Sequence, residues 1–161
     1  MTIFGKSLAD YCRFAAPFLA AITVVGLLRL GLSLAGVSPG VARWFSMTVV
    51  WLVALLVLSA RVHTTGFGSF KQLLGVMLVI TFTAHAISAL GVAIAIATGT
   101  DNVFSVPEYS GGQDGKTVFH LLAHLIGGLT VFPLVAWLVG SLVLLVTRKV
   151  APGGSATPRA A

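Results

Sequence analysis

Charged residues are scarce in this sequence. Lysine, arginine, aspartate and glutamate together make up 9% of the 161 residues, whereas hydrophobic residues make up 57%. A soluble domain is about 25% charged because its surface must be hydrated. So few charges cannot cover a globule of this size, and the mean hydropathy is +1.02. The composition therefore excludes an ordinary water-soluble domain and indicates that a lipid bilayer is the solvent for most of the surface.

Catalytic and redox motifs are missing as well. The single cysteine, Cys12, excludes an internal disulfide and a CxxC site. The sequence contains no HExxH, GxSxG, Walker or GxGxxG pattern. No pair of carboxylates lies within the hydrophobic stretches, which argues against proton-coupled transport through buried acids. The net charge of +6 comes from scattered basic residues, so we expect no nucleic-acid partner.

What the sequence does contain is four long hydrophobic stretches. Each is close to or longer than the 17–25 residues, roughly, that cross a hydrocarbon core, and only a helix satisfies its own backbone over that distance in lipid. We therefore predict an all-α, four-helix transmembrane bundle as a single domain over residues 1–150, followed by a disordered cytoplasmic tail at 151–161. The four stretches are Phe14–Gly36, Trp44–Ala60, Leu73–Ala97 and Val118–Val146.

Local signals predict where these helices begin and end. Ser7 to Asp10 and Ser69 to Gln72 have the spacing of capping boxes, and Gly99 suits a helix C-terminus. Proline inside a helix removes a backbone hydrogen bond, so Pro133 predicts a kink near the middle of the fourth span. Two further starts are expected: Ser38 and Pro39 for the second span, and Asp114 as the cap of the fourth.

Basic residues are divided unequally between the two ends of the predicted bundle. Because the basic-rich side of a membrane protein faces the cytoplasm, we predict a multi-pass cell-membrane protein with both termini cytoplasmic. The loop at 98–116 is then external, and it is either a lid over the outer end or a flexible connector. Seven basic residues fall on one side (Lys6, Arg13, Arg61, Lys71, Arg148, Lys149 and Arg159) and three on the other (Arg29, Arg43 and Lys116).

Three histidines lie within the hydrophobic stretches and are the candidate site residues. His85 is near the middle of the third stretch, and His120 and His124 share a helix face because they are four residues apart. Stripes of small residues beside them predict close packing of the third and fourth helices. We therefore expect His85 and His124 to meet inside the bundle, with His120 nearer the outer surface. Three roles stay open: interhelical hydrogen bonding, binding of b-type haem or a metal ion by all three, and a proton or quinone role.

Arg29 is the other candidate, since it interrupts the first stretch about two turns before its outer end. A charged side chain at the bilayer centre costs at least about 2.5–3.5 kcal/mol, so we expect Arg29 near the outer surface. It either extends to the headgroups or pairs with an external carboxylate, for which the sequence offers Asp101, Glu108 and Asp114.

The loop before the third stretch resembles a segment of bacterial Yip1-type small membrane proteins. The matching residues are Gly66, Gly68, Ser69, Phe70, Lys71 and Gln72, which cover less than a tenth of the chain. The resemblance implies an accessory or trafficking-related membrane protein with no known catalysis, and it carries over no functional residue.

Taken together, these features favour a non-enzymatic accessory or scaffold subunit in a larger membrane complex or a homo-oligomer. The first alternative is a redox subunit that binds haem or a metal through the three histidines. The second is a component of a small-molecule transporter, although the sequence predicts no discontinuous pair of helices of the kind that forms transport sites. Substrate, partner and oligomeric state are not determined by these patterns.

Overall fold

The computed structural model describes residues 2–42, 44–109 and 112–151. Arg43 and the predicted tail beyond Ala151 lie outside the described residues. The chain begins with a short hairpin, in which Thr2 pairs with Ser7 and Ile3 with Lys6. All longer elements are helices. In chain order the elements are β1 (Thr2–Ile3), β2 (Lys6–Ser7), α1 (Leu8–Leu34), α2 (Pro39–Ala42), α3 (Met47–Thr64), α4 (Phe70–Thr98), a 3₁₀ turn (Pro107–Tyr109), α5 (Val118–Leu129) and α6 (Val131–Val150).

The predicted all-α, four-helix bundle is confirmed. Within the described ranges, four helical segments are long and apolar enough to cross a membrane: Leu8–Leu34, Gly40–Thr64, Phe70–Thr98 and Val118–Val150. Large apolar side chains remain exposed along all four, which is what a lipid-facing surface requires. The bundle has two different ends: the loop end, which carries residues 99–109 and 112–117, and the basic end, which carries the hairpin and the connection from α3 to α4.

Helix α4 is the centre of the bundle. It buries side chains on several faces, whereas α5 and α6 bury only a few of theirs. Leu73, Val76, Met77 and Ile80 are completely shielded along its first half. The other three spans pack around this helix, so residues on α4 are the ones best placed to form an enclosed site.

Close helix contacts depend on glycine, as Gly128 and Gly140 illustrate. A Cβ atom on Gly128 of α5 would lie 2.6 Å from the Cβ of His85, and one on Gly140 of α6 would lie 2.5 Å from the Oγ of Ser59. Carbon atoms in contact normally stay about 3.5–4.0 Å apart. The absence of a side chain at Gly128 therefore lets α5 approach α4, and the predicted packing of the third and fourth spans through small residues is confirmed.

The fourth span is broken rather than kinked, which corrects the predicted single helix. α5 ends at Leu129, and Thr130 has φ −122° and ψ −83°, outside the helical region. Pro133 explains the position of the break, because it has no N–H for the carbonyl four residues earlier and its ring is too close to that carbonyl. The last turn of α5 is closed by the Thr130 N–H, which donates to the carbonyls of Ile126 (3.0 Å) and Gly127 (3.3 Å). The fourth span is thus interrupted at Thr130, which is not the discontinuous pair of helices that the sequence was expected to lack.

The predicted helix starts and ends are confirmed in four cases and wrong in one. Capping boxes form at Ser7–Asp10 and Ser69–Gln72, and Gly99 ends α4 in the left-handed conformation with φ 69°. A helix begins at Pro39 as predicted, but it is the short α2, and the main helix of the second span, α3, has its own N-cap at Ser46. Thr117, not Asp114, caps α5, since its side chain accepts from the His120 N–H.

Candidate functional site: a histidine pair at the broken span

His85 and His124 contact each other directly. His85 lies midway along α4 and His124 lies on α5, and their Nδ1 atoms are 3.1 Å apart. The predicted nearness of these two side chains is therefore confirmed. At this distance one Nδ1 must carry a hydrogen and donate it, while the other offers its lone pair. The pair therefore holds one shared hydrogen between the rings, and the two Nε2 atoms have opposite hydrogen-bonding character when both rings are neutral.

His120 extends this pair toward the loop end, as predicted. Its ring centroid is 4.8 Å from that of His124, at an interplanar angle of 33°. Its Nδ1 lies 2.9 Å from the carbonyl oxygen of Gly115 in the long loop. Because a carbonyl can only accept, this nitrogen carries the hydrogen. His120 is therefore oriented by the loop backbone rather than by the other two histidines.

The three histidines do not converge on a common point. Within residues 2–42, 44–109 and 112–151, no group of three histidine, cysteine or acidic side chains is arranged to hold a metal ion. The Nδ1 atoms of His85 and His124 are bonded to each other, and a porphyrin has no space between rings in direct contact. Haem or metal binding by His85, His120 and His124 thus stays a prediction, and it requires these side chains to rearrange.

A cavity of about 290 Å³ lies beside the pair. Both imidazoles are half-buried, so the cavity opens to the surroundings of the bundle. Its walls come from the first turns of α3, the middle of α4, and both sides of the break between α5 and α6. The lining residues are Met47, Thr48, Trp51, Ala84, His85, Ser88, His124 and Phe132.

Aromatic rings form two of these walls and are fixed in place. Phe132 stacks on His85 with ring centroids 4.4 Å apart at 28°. The Trp51 indole donates to the Thr81 hydroxyl at 3.2 Å, which holds its ring plane. Phe132 reaches the cavity because the break at Thr130 redirects the chain just before it. Sequence patterns did not identify Trp51 or Phe132 as site residues, although an indole inside an apolar span and an aromatic beside Pro133 are visible signals.

The long loop is ordered over the residues described here, 99–109 and 112–117. Asn102 is 1% exposed and donates from its side chain to the Gly91 carbonyl of α4 at 2.7 Å. The same side chain accepts from the Phe104 N–H at 2.9 Å, and the Val103 N–H donates to the Ser33 hydroxyl of α1 at 2.9 Å. These bonds hold the loop over the ends of α1 and α4. None of its described residues lines the cavity, so the loop caps the bundle beside the site.

Asp101 and Asp114 are joined by Lys116. The lysine Nζ lies 2.7 Å from Asp101 and 3.1 Å from Asp114. Hydrogen bonds donated by the backbone N–H of Lys116 and then by its side chain lower the pKa of Asp114, while the hydrogen bonds that the Lys116 ammonium donates to Asp101 and Asp114 raise the pKa of Lys116. This exposed cluster ties the two ends of the loop together.

Arg29 lies close to this cap. It is five residues before the end of α1 at Leu34, which is roughly 7.5 Å at the helical rise. Its side chain is half-buried and its Nε atom is shielded. Ser33, one turn further along the same face, accepts from the loop backbone. Arg29 therefore belongs to the packed loop end and is separate from the histidine cavity.

The Gly-rich loop that resembles Yip1-type proteins connects α3 to α4. Gly66 turns the chain with φ 66°, and the Ser69 N–H donates to the Gln72 side chain at 2.9 Å to start α4. The function implied by this resemblance stays a prediction. No known protein family, curated protein or solved structure matches the chain significantly.

Proposed function

We propose that this chain is a non-enzymatic membrane subunit that binds a neutral ring compound with a hydrogen-bonding oxygen, of the class of quinone headgroups, in the histidine cavity. The observation that carries the proposal is the Nδ1–Nδ1 contact between His85 and His124 at the cavity wall. The ring that donates through Nδ1 keeps a lone pair on Nε2, and its partner keeps an N–H there. The pair therefore offers both an acceptor and a donor, which suits the hydroxyl of a quinol and the carbonyl of a quinone.

The walls of the cavity favour a neutral and flat ligand. No aspartate, glutamate, lysine or arginine is among the described residues that line the cavity, and burying an unpaired charge in an apolar site is costly. Trp51 and Phe132 supply aromatic surfaces against which a ring can stack. The volume of about 290 Å³ is near the lower end of ligand pockets, which run from about 300 to 1,000 Å³. A single substituted ring with its tail in the lipid fits these limits.

Fluorescence of Trp51 can report this binding. In a background with Trp44→Phe and Trp137→Phe, Trp51 is the only tryptophan. A short-chain benzoquinone added to this protein in lipid nanodiscs should quench its emission saturably, because the quinone ring would stack against the indole. A plain aliphatic alcohol of similar size is the matched probe without a ring, and it should not quench.

Substitutions of histidine test the role of the pair. His85→Ala and His124→Ala should each weaken quinone binding by at least about tenfold, since each removes one hydrogen-bonding partner. His63→Ala is the control, because His63 contacts the Ala151 carbonyl at the basic end, far from the cavity. Quenching that does not saturate, or equal affinities in all three variants, would rule the proposal out. Stoichiometric haem or metal in the purified protein, lost in the His85 and His124 variants, would favour the redox subunit instead.

The open side of the cavity supports an accessory role within an assembly. Both imidazoles are half-buried, and in a bilayer their polar atoms need cover from protein or a ligand rather than from acyl chains. A larger membrane complex or a homo-oligomer of this chain would provide that cover. Native mass spectrometry of mildly solubilised protein should detect a partner or a second copy of the chain. A protein that is strictly monomeric and still binds quinone with full affinity would exclude the proposed accessory role within an assembly.

We also infer that both termini are cytoplasmic and that the loop end faces outward. The unequal division of basic residues supports this orientation. Reporter fusions after Ala161 should be active in the cytoplasm, and fusions within residues 110–113 should be active outside. The opposite pattern would invert the topology.

A further inference from the structure

The basic end carries three cations that lie over aromatic rings. Lys6 Nζ is 4.9 Å from the centroid of Phe67, Arg61 Cζ is 5.1 Å from that of Phe14, and Arg148 Cζ is 4.7 Å from that of Phe70. Phe14 and Phe67 also stack, with centroids 4.0 Å apart. The three cations come from β2, α3 and α6, so tertiary packing brings them together. These three cations and three rings are called the basic patch.

The patch is built on anchored backbone. The hairpin turns at Phe4 and Gly5, both with positive φ, and it is held down by two hydrogen bonds. The Tyr11 hydroxyl donates to the Ile3 carbonyl and the Gln72 side chain donates to the Phe4 carbonyl, each at 2.8 Å. Lys6 is therefore carried on a fixed turn. On the other side, the Trp137 indole donates to the Phe70 carbonyl at 2.8 Å, which holds that ring beneath Arg148.

Among the described residues one carboxylate, Asp10, lies near the patch and interacts electrostatically with Lys6, whereas no described carboxylate forms an ion pair with Arg61 or Arg148. The sequence has four acidic side chains, and three of them (Asp101, Glu108 and Asp114) belong to the loop end. Asp10 is at the basic end, but it accepts from the Ser7 N–H and hydroxyl at 2.9 and 2.7 Å and lies 3.7 Å from Arg13. A ring face orients a cation without neutralising it, and a guanidinium lying on a ring keeps its N–H edge available for a phosphate.

An apolar groove of about 210 Å³ starts next to the patch. It follows α4 from Gly75 to Phe82, which is about 10 Å at the helical rise. Tyr11 joins the two features, since its ring lines the groove and packs edge-on against Phe67 with centroids 5.8 Å apart. The lining residues are Ile3, Leu8, Tyr11, Gly75, Leu78, Val79, Phe82 and Leu129.

We propose that the basic end is a binding site for one anionic phospholipid. The headgroup phosphate contacts the cations of the basic patch, and one acyl chain lies in the groove along α4. Cations at the membrane surface attract anionic headgroups, and Arg61 and Arg148 have no carboxylate partner in the described part of the chain. A groove with apolar walls beside these cations fits an acyl chain of the same lipid. The ligand is a lipid of the adjoining leaflet and not a soluble phosphate, because a soluble phosphate has no apolar part to occupy the groove.

Competition between two lipids tests the headgroup contact. The protein is reconstituted in vesicles of equal parts phosphatidylcholine and phosphatidylglycerol, extracted in mild detergent, and its retained lipids are counted by native mass spectrometry. The native protein should retain phosphatidylglycerol in preference. The triple variant Lys6→Gln, Arg61→Gln, Arg148→Gln should lower the ratio of retained phosphatidylglycerol to phosphatidylcholine by at least about tenfold, since each charge contributes about fivefold.

The matched control removes the same charge from the same end. Arg13, Lys71 and Lys149 are exposed, so the triple variant Arg13→Gln, Lys71→Gln, Lys149→Gln should leave most of the preference intact. Equal loss in the two triple variants would show a general charge effect and overturn the site. Equal retention of both lipids by the native protein would overturn it as well, as would displacement of the lipid by excess inorganic phosphate.

Filling the groove tests the acyl-chain contact. Leu78→Trp places a larger ring in the groove and should reduce phosphatidylglycerol retention while far-UV circular dichroism stays unchanged. Val79→Phe serves the same purpose if the tryptophan variant does not fold. Unchanged retention of phosphatidylglycerol by a folded groove variant would show that the acyl chain does not lie in the groove.

Discussion

Replacing Gly128 by alanine should push α5 away from α4 and separate the histidine pair. The added Cβ would lie 2.6 Å from the Cβ of His85 and 3.0 Å from its Cγ. Since carbon atoms pack at about 3.5–4.0 Å, the helices must separate by roughly 1 Å or His85 must leave its position. Overpacking of this kind costs about 1–3 kcal/mol.

Gly31→Ala is the matched control for this change. Gly31 also lies in the last turn of a helix, and a Cβ there meets nothing within 4 Å. Both substitutions raise helix propensity by up to about 1 kcal/mol, so the difference between the variants isolates the cost of overpacking. In detergent micelles titrated with dodecyl sulfate, we expect Gly128→Ala to unfold with a free energy about 1–3 kcal/mol lower than Gly31→Ala. Equal stability of the two would refute the packing of α5 on His85, and unchanged quinone affinity in Gly128→Ala would refute the link between this packing and the cavity.

Three further outcomes are expected. Asn102→Ala removes a buried side chain that donates a hydrogen bond to α4, which should destabilise the packed loop by about 1–3 kcal/mol. The long loop of the variant should be cut faster by a protease, and a cleavage rate equal to that of the native protein would contradict this prediction. Trp137→Phe removes the donor to the Phe70 carbonyl and should lower the free energy of unfolding by about 0.5–1.5 kcal/mol in the same micelle assay. Hydrogen bonds from Lys116 lower the pKa of Asp114, so its ion pair with Lys116 should be complete at pH values above the ordinary carboxyl pKa of 3.8 and should be lost as the pH falls through the lowered pKa. An NMR titration of that carboxyl with a midpoint at or above 3.8 would contradict this.

Much of the site could be predicted because depth in a bilayer follows from position in the chain. The helical rise placed His85 and His124 at similar levels, and the four-residue spacing placed His120 toward the loop. Trp51 and Phe132 could not be assigned in the same way. In lipid, both the faces that meet other helices and the faces that meet acyl chains are apolar, so the pattern along a span does not show which side faces the bundle.

The amino-acid sequence by itself determined four membrane-length helices, the accumulation of basic residues at one end and the similar level of His85 and His124 along the bundle. Each of these depends on the length and charge of a local stretch of chain, because a hydrophobic stretch that crosses a bilayer must form a helix to satisfy its backbone hydrogen bonds. Only the tertiary structure decided that Pro133 breaks the fourth span at Thr130, that the histidines bond in a pair beside a cavity, and that three cations gather over aromatic rings. The histidine pair and the cluster of cations depend on how neighbouring helices pack sideways, and that packing is set by contacts between residues far apart in the chain. The break is local to Pro133, but the sequence alone did not distinguish a break from a kink.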